Sequence, residues 1–239
     1  MTGRLFTNEV YGPVLQGEGP DAGRPFVFLR LAGCNLDCSW CDTPYAWDWK
    51  RYDRTAERHK EPIELVAEAV QILQAKSPGA GLVVTGGEPL LQDEGLAILL
   101  GYLDPKRAVA VETNGTYAPS RELQQMVDSW VVSPKLMNAG VADKRRIKLD
   151  VLGTFGAIRY LGKQVVLKAV VESPGELDEV AVLQKAMDLR NSSVWVMPQG
   201  TTGQQIMSRA RRLEQAVLDR GWNLTLRHQV LLHGDKRGV

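Results

Sequence analysis

Every cysteine of the 239-residue chain falls in one short segment, Cys34-x3-Cys38-x2-Cys41. The segment follows the apolar run Pro25–Leu31 directly, and its other residues are mostly small or polar: Gly33, Asn35, Asp37, Ser39, Asp42 and Thr43, with Leu36 and Trp40 between them. Any fold for this chain must therefore hold a loop at a strand end so that three thiolates can converge on one inorganic group. A four-iron–four-sulfur cluster normally takes four cysteine ligands, and this sequence has no fourth. One iron would then keep an open position, where chemistry takes place. A structural zinc site closes with four protein ligands. His59 would have to complete it, and it lies among Arg58, Lys60 and Glu61 in what reads as a solvated linker. The odd count disfavours disulfides, as does Met1-Thr2-Gly3-Arg4-Leu5, which reads without the apolar stretch of a secretory leader. The spacing favours an open iron–sulfur cluster and leaves zinc as the alternative.

A formal net charge of +1 gives no electrostatic reason to expect nucleic acid or a membrane as an obligatory partner. No apolar run approaches the roughly 20 residues of a membrane-spanning helix. Clustered free thiols point to the reducing cytoplasm. The length suits one large α/β domain over 1–239.

Along the chain, Tyr11–Pro25 is dense in glycine and proline and reads as a structured loop. Pro25–Leu31 reads as a buried strand, with Arg30 at its end either reaching water or meeting an anion. Pro44–Glu61, with Tyr45, Trp47, Trp49 and Tyr52, reads as a covering loop. Helical spacing predicts helices over 62–76, 92–102, 120–127, 176–188 and 204–220. Apolar runs predict strands over 82–85, 108–112, 129–132, 164–171, 194–197 and 223–226. Met137–Ile147 is polar and ends on Lys144, Arg145 and Arg146, which reads as a solvated face.

Strand and helix alternate, which implies a parallel sheet with helical crossovers. Most strands end on a small, polar or Pro/Gly motif: the cysteine loop, Gly86-Gly87-Glu88-Pro89, Thr113-Asn114-Gly115, Ser133-Pro134-Lys135 and Met197-Pro198-Gln199-Gly200. The C-terminal edge of a parallel α/β sheet is where ligands bind. About seven strands are too few for a closed barrel, which typically takes about 250 residues. The expected fold is α/β, a partial, incomplete TIM-like β/α barrel with one rim gripping an extended ligand.

The cysteine motif followed by Thr85-Gly86-Gly87-Glu88-Pro89 resembles the radical S-adenosylmethionine superfamily. Further segments narrow the resemblance: Val14-Leu15-Gln16-Gly17-Glu18-Gly19, Gly23-Arg24-Pro25, Phe28-Leu29-Arg30-Leu31, Gly33-Cys34-Asn35, Trp40-Cys41-Asp42-Thr43 and Ser133-Pro134-Lys135. Together these are similar to the 7-carboxy-7-deazaguanine synthase family, from about Tyr11 onward. That family converts 6-carboxy-5,6,7,8-tetrahydropterin to 7-carboxy-7-deazaguanine and ammonia, for 7-deazapurines such as queuosine. The implied chemistry is hydrogen abstraction by a 5′-deoxyadenosyl radical, ring contraction, and return of the hydrogen. It needs Mg2+, and a reductant such as flavodoxin or ferredoxin. The family also implies a homodimer.

Carried over residue by residue, the resemblance makes Cys34, Cys38 and Cys41 the cluster ligands and Thr43 a magnesium ligand. Leu15, Gln16, Gly17, Arg30 and Thr85 would bind the pterin, Arg30 through its carboxylate. Trp40, Cys41, Asp42, Gly87, Ser133, Pro134, Lys135, Met197, Pro198, Gln199 and Gly200 would bind S-adenosylmethionine. Glu88 and Asn114 are candidate helpers, and His228 a candidate substrate contact. The segment Leu231–Val239 has no placement from the motifs, and no residue stands out as a general base. Two other readings stay open: a glycyl-radical activase, which shares the cysteine and Gly-Gly-Glu-Pro motifs, and a non-catalytic zinc module.

Overall fold

In the computed structural model, which describes residues 3–239, one sheet carries every strand. The elements in chain order are β1 (Arg4–Leu15), β2 (Pro25–Leu31), α1 (Arg54–Glu57), β3 (His59–Pro62), α2 (Ile63–Gln74), β4 (Gly81–Gly86) and α3 (Asp93–Gly101). There follow β5 (Val109–Thr113), α4 (Arg121–Met126), β6 (Ser129–Val132), α5 (Asp143–Arg146), α6 (Leu149–Ile158) and β7 (Gln164–Val171). The last are α7 (Leu177–Ala186), β8 (Val194–Pro198), α8 (Gly203–Leu218), β9 (Asn223–Leu224) and α9 (His228–His233). The strand order is β3-β1-β2-β4-β5-β6-β7-β8-β9. From β2 to β9 every neighbouring pair is parallel. This is the expected incomplete barrel, an open run of parallel strands backed by helices.

The parallel strands form because their apolar runs are buried on both faces. Every residue of β6 is buried, and so is every residue of β7 after Gln164. The helices lay one stripe on the outer face: Ile63, Val66, Ala67 and Val70 from α2, and Ile206, Ala210, Leu213 and Val217 from α8. A capping box fixes the start of α8: the Thr202 hydroxyl accepts from the Gln205 amide while the Gln205 side chain reaches back to the cap. Among the described residues no helix is long and apolar enough to cross a membrane.

Four expectations need correction. Tyr11–Leu15 is not loop but the end of β1, which pairs antiparallel with β2. Its Gly12-Pro13 sits in a register irregularity between Tyr11 and Val14, beyond the Arg4–Thr7 stretch that β3 covers, so proline costs no ladder bond to a second neighbour. Second, His59 and Lys60 lie in β3, paired to β1, rather than in a solvated linker, and the covering segment before them holds α1. Third, Met137–Ile147 is only partly a solvated face. Ala139 and Val141 pack on Leu36, and Arg146 is buried, donating to Glu179 at 2.5 Å and to the Lys135 carbonyl at 2.7 Å. Fourth, α6 and α9 are additional helices, and β9 covers only the first half of the expected last strand.

Candidate active site

The C-terminal ends of the parallel strands surround a cavity of about 490 Å³. Its wall takes Arg30 from β2, Thr85 from β4, Glu112 from β5, Lys168 from β7 and Met197 from β8. All three cysteines line the same cavity. The loop that carries them is braced from several sides. The Asn114 amide donates to Asn35 at 2.9 Å, Asn35 donates to the Thr116 hydroxyl at 2.9 Å, and that hydroxyl donates back to Asn114 at 2.6 Å. The Ser39 amide donates to the Ala139 carbonyl at 2.9 Å, and the Trp40 indole donates to the Asn138 carbonyl at 3.0 Å. Arg145 holds the outside, donating to Asp37 at 2.8 Å and to the Asn35 carbonyl at 3.0 Å.

Two N–H groups already point at thiol sulfurs. The Leu36 amide lies 3.4 Å from Cys34 Sγ, and the Trp47 indole 3.3 Å from Cys41 Sγ. Burial pushes the Cys34 thiol up to about 12 and raises Cys38 as well. Such thiols ionise readily only when a metal supplies the positive charge, and thiolates select soft metals. Among the described residues no group of three or more His, Cys, Asp or Glu side chains is gathered for one metal ion. Three thiols lining one cavity are a donor set of the soft kind that an iron–sulfur cluster takes. Gly87 completes the fit: a Cβ there would lie 2.0 Å from the Gly33 carbonyl oxygen and 2.9 Å from Cys34 Cβ. Only glycine lets this turn lie against the cysteine loop.

Glu88 braces this turn from behind. It is buried, and its carboxylate accepts from Thr113 Oγ1 at 2.8 Å, the Asn114 amide at 2.7 Å and the Leu90 amide at 3.0 Å. Burial raises its pKa against those donors. It ties β4 to β5 and does not line the cavity, whereas Asn114 does.

A second wall is polar. Arg30 donates through Nε to Glu9 at 2.7 Å and through Nη2 to the Tyr11 hydroxyl at 3.2 Å. Glu112 accepts from Thr85 at 3.1 Å, Gln16 at 3.2 Å and Lys168 at 3.4 Å. Lys168 also donates to Glu18 at 2.7 Å, and Glu18 receives Arg227 at 3.1 Å and Gln229 at 2.7 Å. Arg227 reaches Asp42 with its remaining amine. A linked set of charges thus runs from Gln16 and Glu18 to Asp42, beside Cys41.

Comparison with known proteins agrees with this geometry. A model of the Radical SAM superfamily matches residues 29–147. The chain is 36% identical to a 7-carboxy-7-deazaguanine synthase from Pyrobaculum aerophilum, over 99% of this chain and 98% of that protein. Its identity to the synthase from Rhodopirellula baltica is 32%, over 94% of this chain and 85% of that one. The chain belongs to the 7-carboxy-7-deazaguanine synthase family. In structure it is similar to QueE from Escherichia coli, with a TM-score of 0.67, 22% identity and 93% of each chain covered. It is also similar to SuiB from Streptococcus suis bound to its precursor peptide, with a TM-score of 0.55 and 18% identity, over 81% of this chain and 46% of that one. Both share the fold.

Family membership brings with it a four-iron–four-sulfur cluster and S-adenosylmethionine, and the donor set fits both. Of the residues expected from the motifs, Leu15, Gln16, Gly17, Arg30, Trp40, Asp42, Thr43, Thr85, Gly87, Ser133, Lys135, Met197, Gln199 and Gly200 line the cavity with the cysteines. Pro134 and Pro198 do not line it; they shape the backbone next to residues that do. His228 is exposed and off the wall; its amide donates to the Gly17 carbonyl at 3.0 Å. Its neighbours Arg227 and Gln229 line the cavity instead. The motifs did not mark Glu112, Lys168 and Arg227 as parts of the site. For Glu112 and Lys168 the signal is a charge inside an apolar strand, as in Val109-Ala110-Val111-Glu112 and Val166-Leu167-Lys168-Ala169; Arg227 follows β9 and carries no such signal.

Proposed function

We propose that this chain converts 6-carboxy-5,6,7,8-tetrahydropterin to 7-carboxy-7-deazaguanine with loss of ammonia. One observation carries the reading: the three thiols, the Gly86-Gly87 turn and the Arg30 guanidinium line a single cavity, in a chain matched nearly end to end by synthases of that name. When bound, the cluster and S-adenosylmethionine supply one-electron cleavage of the sulfonium and a carbon radical able to abstract hydrogen. The chain's own residues bind and orient. Cys34, Cys38 and Cys41 would hold the cluster, and Gly87, Ser133, Lys135 and Gln199 would hold S-adenosylmethionine, flanked by Trp40 and Asp42. Leu15, Gln16 and Gly17 offer backbone groups to the pterin, and Thr85 offers its hydroxyl. Arg30 receives the carboxylate, which its fork of donors suits. Thr43 supplies one oxygen to Mg2+, with water and substrate oxygens filling the remaining positions. We assign a flavodoxin- or ferredoxin-type reductant, a cytoplasmic setting and a homodimer on the family's pattern.

The test is anaerobic reconstitution with iron and sulfide, then turnover with the carboxylated tetrahydropterin, S-adenosylmethionine, Mg2+ and reductant. The expected result is ammonia and the deazaguanine product in equal amounts. Absence of product from cluster-replete protein would overturn the reading, and radical transfer to a glycine of a protein substrate would favour an activase. Stoichiometric zinc without iron in anaerobically isolated protein would favour the non-catalytic module.

Two substitutions probe the substrate side. Arg30→Ala is expected to raise the pterin KM by more than tenfold, since a hydrogen bond to a charged group contributes about 1.5–3 kcal/mol. Steady-state kinetics at saturating S-adenosylmethionine read this directly. Thr43→Ala should keep its iron content and need at least about tenfold more Mg2+ for half-maximal rate, since even an outer partner of a metal ligand contributes about 10–100-fold in affinity and Thr43 is assigned as a direct ligand. A magnesium titration of the rate decides it.

A further inference from the structure

Residues 234–239 follow α9, which Gly234 ends with φ of +71°, and all of them line the cavity. One side chain fastens the segment. Arg237 donates through Nε to Glu9 at 2.9 Å and through Nη2 to Asn8 at 3.0 Å. It also forks onto Glu57, at 3.0 Å from Nη1 and 2.9 Å from Nη2. Its guanidinium stacks 4.0 Å from the centroid of the Tyr45 ring. Ordinary surface ion pairs contribute little, but this one is bidentate, stacked and shared among several partners.

Two of those partners also hold Arg30. The other oxygen of Glu9 takes the Arg30 Nε at 2.7 Å, and the Arg30 guanidinium lies 5.9 Å from the same Tyr45 ring. Arg30 Nη1 has no hydrogen-bond partner among the described residues. The two guanidiniums share Glu9, and Arg237 alone also pairs with Glu57. Without Arg237, Glu57 would keep only the Asn8 amide, and Glu9 would be left to Arg30. An incoming anion would then meet surplus negative charge in a half-buried place, where screening is weak. The same loss would free the segment that lines the cavity.

We propose that Arg237 is a positioning residue for the substrate. It clamps residues 234–239 on the cavity wall and neutralises the outer carboxylates, so that Arg30 stays able to receive an anionic group. This rests on the reading that Arg30 meets the pterin carboxylate. The clamp acts on binding, so its loss should appear in KM and leave the chemical step nearly unchanged.

The experiment compares Arg237→Gln, Arg237→Lys and Arg30→Ala in cluster-reconstituted full-length protein, with pterin kinetics and backbone hydrogen exchange. R237Q is expected to raise the pterin KM about tenfold with kcat changed less than threefold, and to speed exchange across 234–239. R237K, which keeps the charge but loses the fork and the stacking, is expected to fall between the parent and R237Q in KM, which separates charge from geometry and guards against a folding defect. Adding Glu57→Gln to R237Q should recover part of the lost KM, because it removes the surplus negative charge without touching Arg30. A merely structural role would not give that recovery. A parental KM in R237Q beside an impaired R30A overturns the clamp, as does a loss confined to kcat. A parental KM in R30A overturns the Arg30 assignment instead.

Discussion

Cys34→Ala is expected to give a folded protein that holds no stable iron–sulfur cluster and forms no product. Cys34 stands at the end of the loop that Gly87 packs against, and its sulfur faces both the Leu36 amide and, at 4.0 Å, the Asn114 side chain. Removing it leaves two thiols for three corners. Outer partners of a metal ligand typically change affinity by 10–100-fold, so loss of a direct ligand should exceed about 100-fold. The fold itself should survive. The main core is built from strand and helix residues such as Leu29, Val84 and Trp130, while the cysteine loop packs in a separate small cluster with Leu36, Ala139 and Val141. Iron and sulfide content, the visible absorbance of the reconstituted protein and its far-UV circular dichroism decide the matter together. A fully loaded, active C34A chain would remove Cys34 from the ligand set.

The parallel strands are legible because each is buried on both faces and so reads as a mostly apolar run, interrupted only by single charges such as Arg30, Glu112 and Lys168. The boundaries of β2, β6 and β7 follow from that alone. The first and third strands hide for the opposite reason. Each of them alternates or carries charge, and β3, His-Lys-Glu-Pro, has no strand signal of its own; it exists because β1 lies beside it. The loop signal of Gly12-Pro13 is absorbed as a local irregularity of β1. α6 was obscured by its own glycines. Gly156 has the place it does because a Cβ would lie 2.0 Å from the Met187 carbonyl oxygen, a tertiary contact that local propensity does not carry. Arg146 was read as solvent-facing from its neighbours, yet its partner Glu179 lies on a distant helix.

The rim of the site was legible for a topological reason. In a parallel sheet all strand ends of one sense share an edge, so motifs placed after successive strands must meet there. The charged wall was not, because its members come from separate parts of the chain: Glu18 after β1, Glu112 on β5, Lys168 on β7 and Arg227 after β9. Only the sheet brings them together. The same closure explains how Glu9, near the N-terminus, comes to hold both Arg30 and Arg237.

Lys168→Met should be the most damaging change to stability. Lys168 is 5% exposed, and its ammonium is held by Glu18 and Glu112 inside the barrel. Burial works against that charge, but the two carboxylates outweigh it and hold the pKa well above the ordinary lysine value. Burial likewise works against Glu18, and Lys168 and Arg227 outweigh it, holding that carboxyl far below its usual range. Removing one partner of a buried pair leaves the other uncompensated and typically destabilises by about 3–5 kcal/mol. The signs fix the pH dependence. Glu18, depressed on folding, adds stability that is present above its ordinary value of 4.5 and is lost as pH falls toward the folded value. Lys168, raised on folding, adds stability that is present below its ordinary value of 10.5 and is lost as pH rises past it. The contribution of this pair should therefore hold a plateau between those limits. K168M should lower that plateau, and with its main partner gone Glu18 should protonate earlier, moving the acid limb to higher pH. Denaturant unfolding across the pH range measures both effects. An unchanged plateau and acid limb in K168M would mean that the pair contributes nothing to holding the two sides of the cavity together.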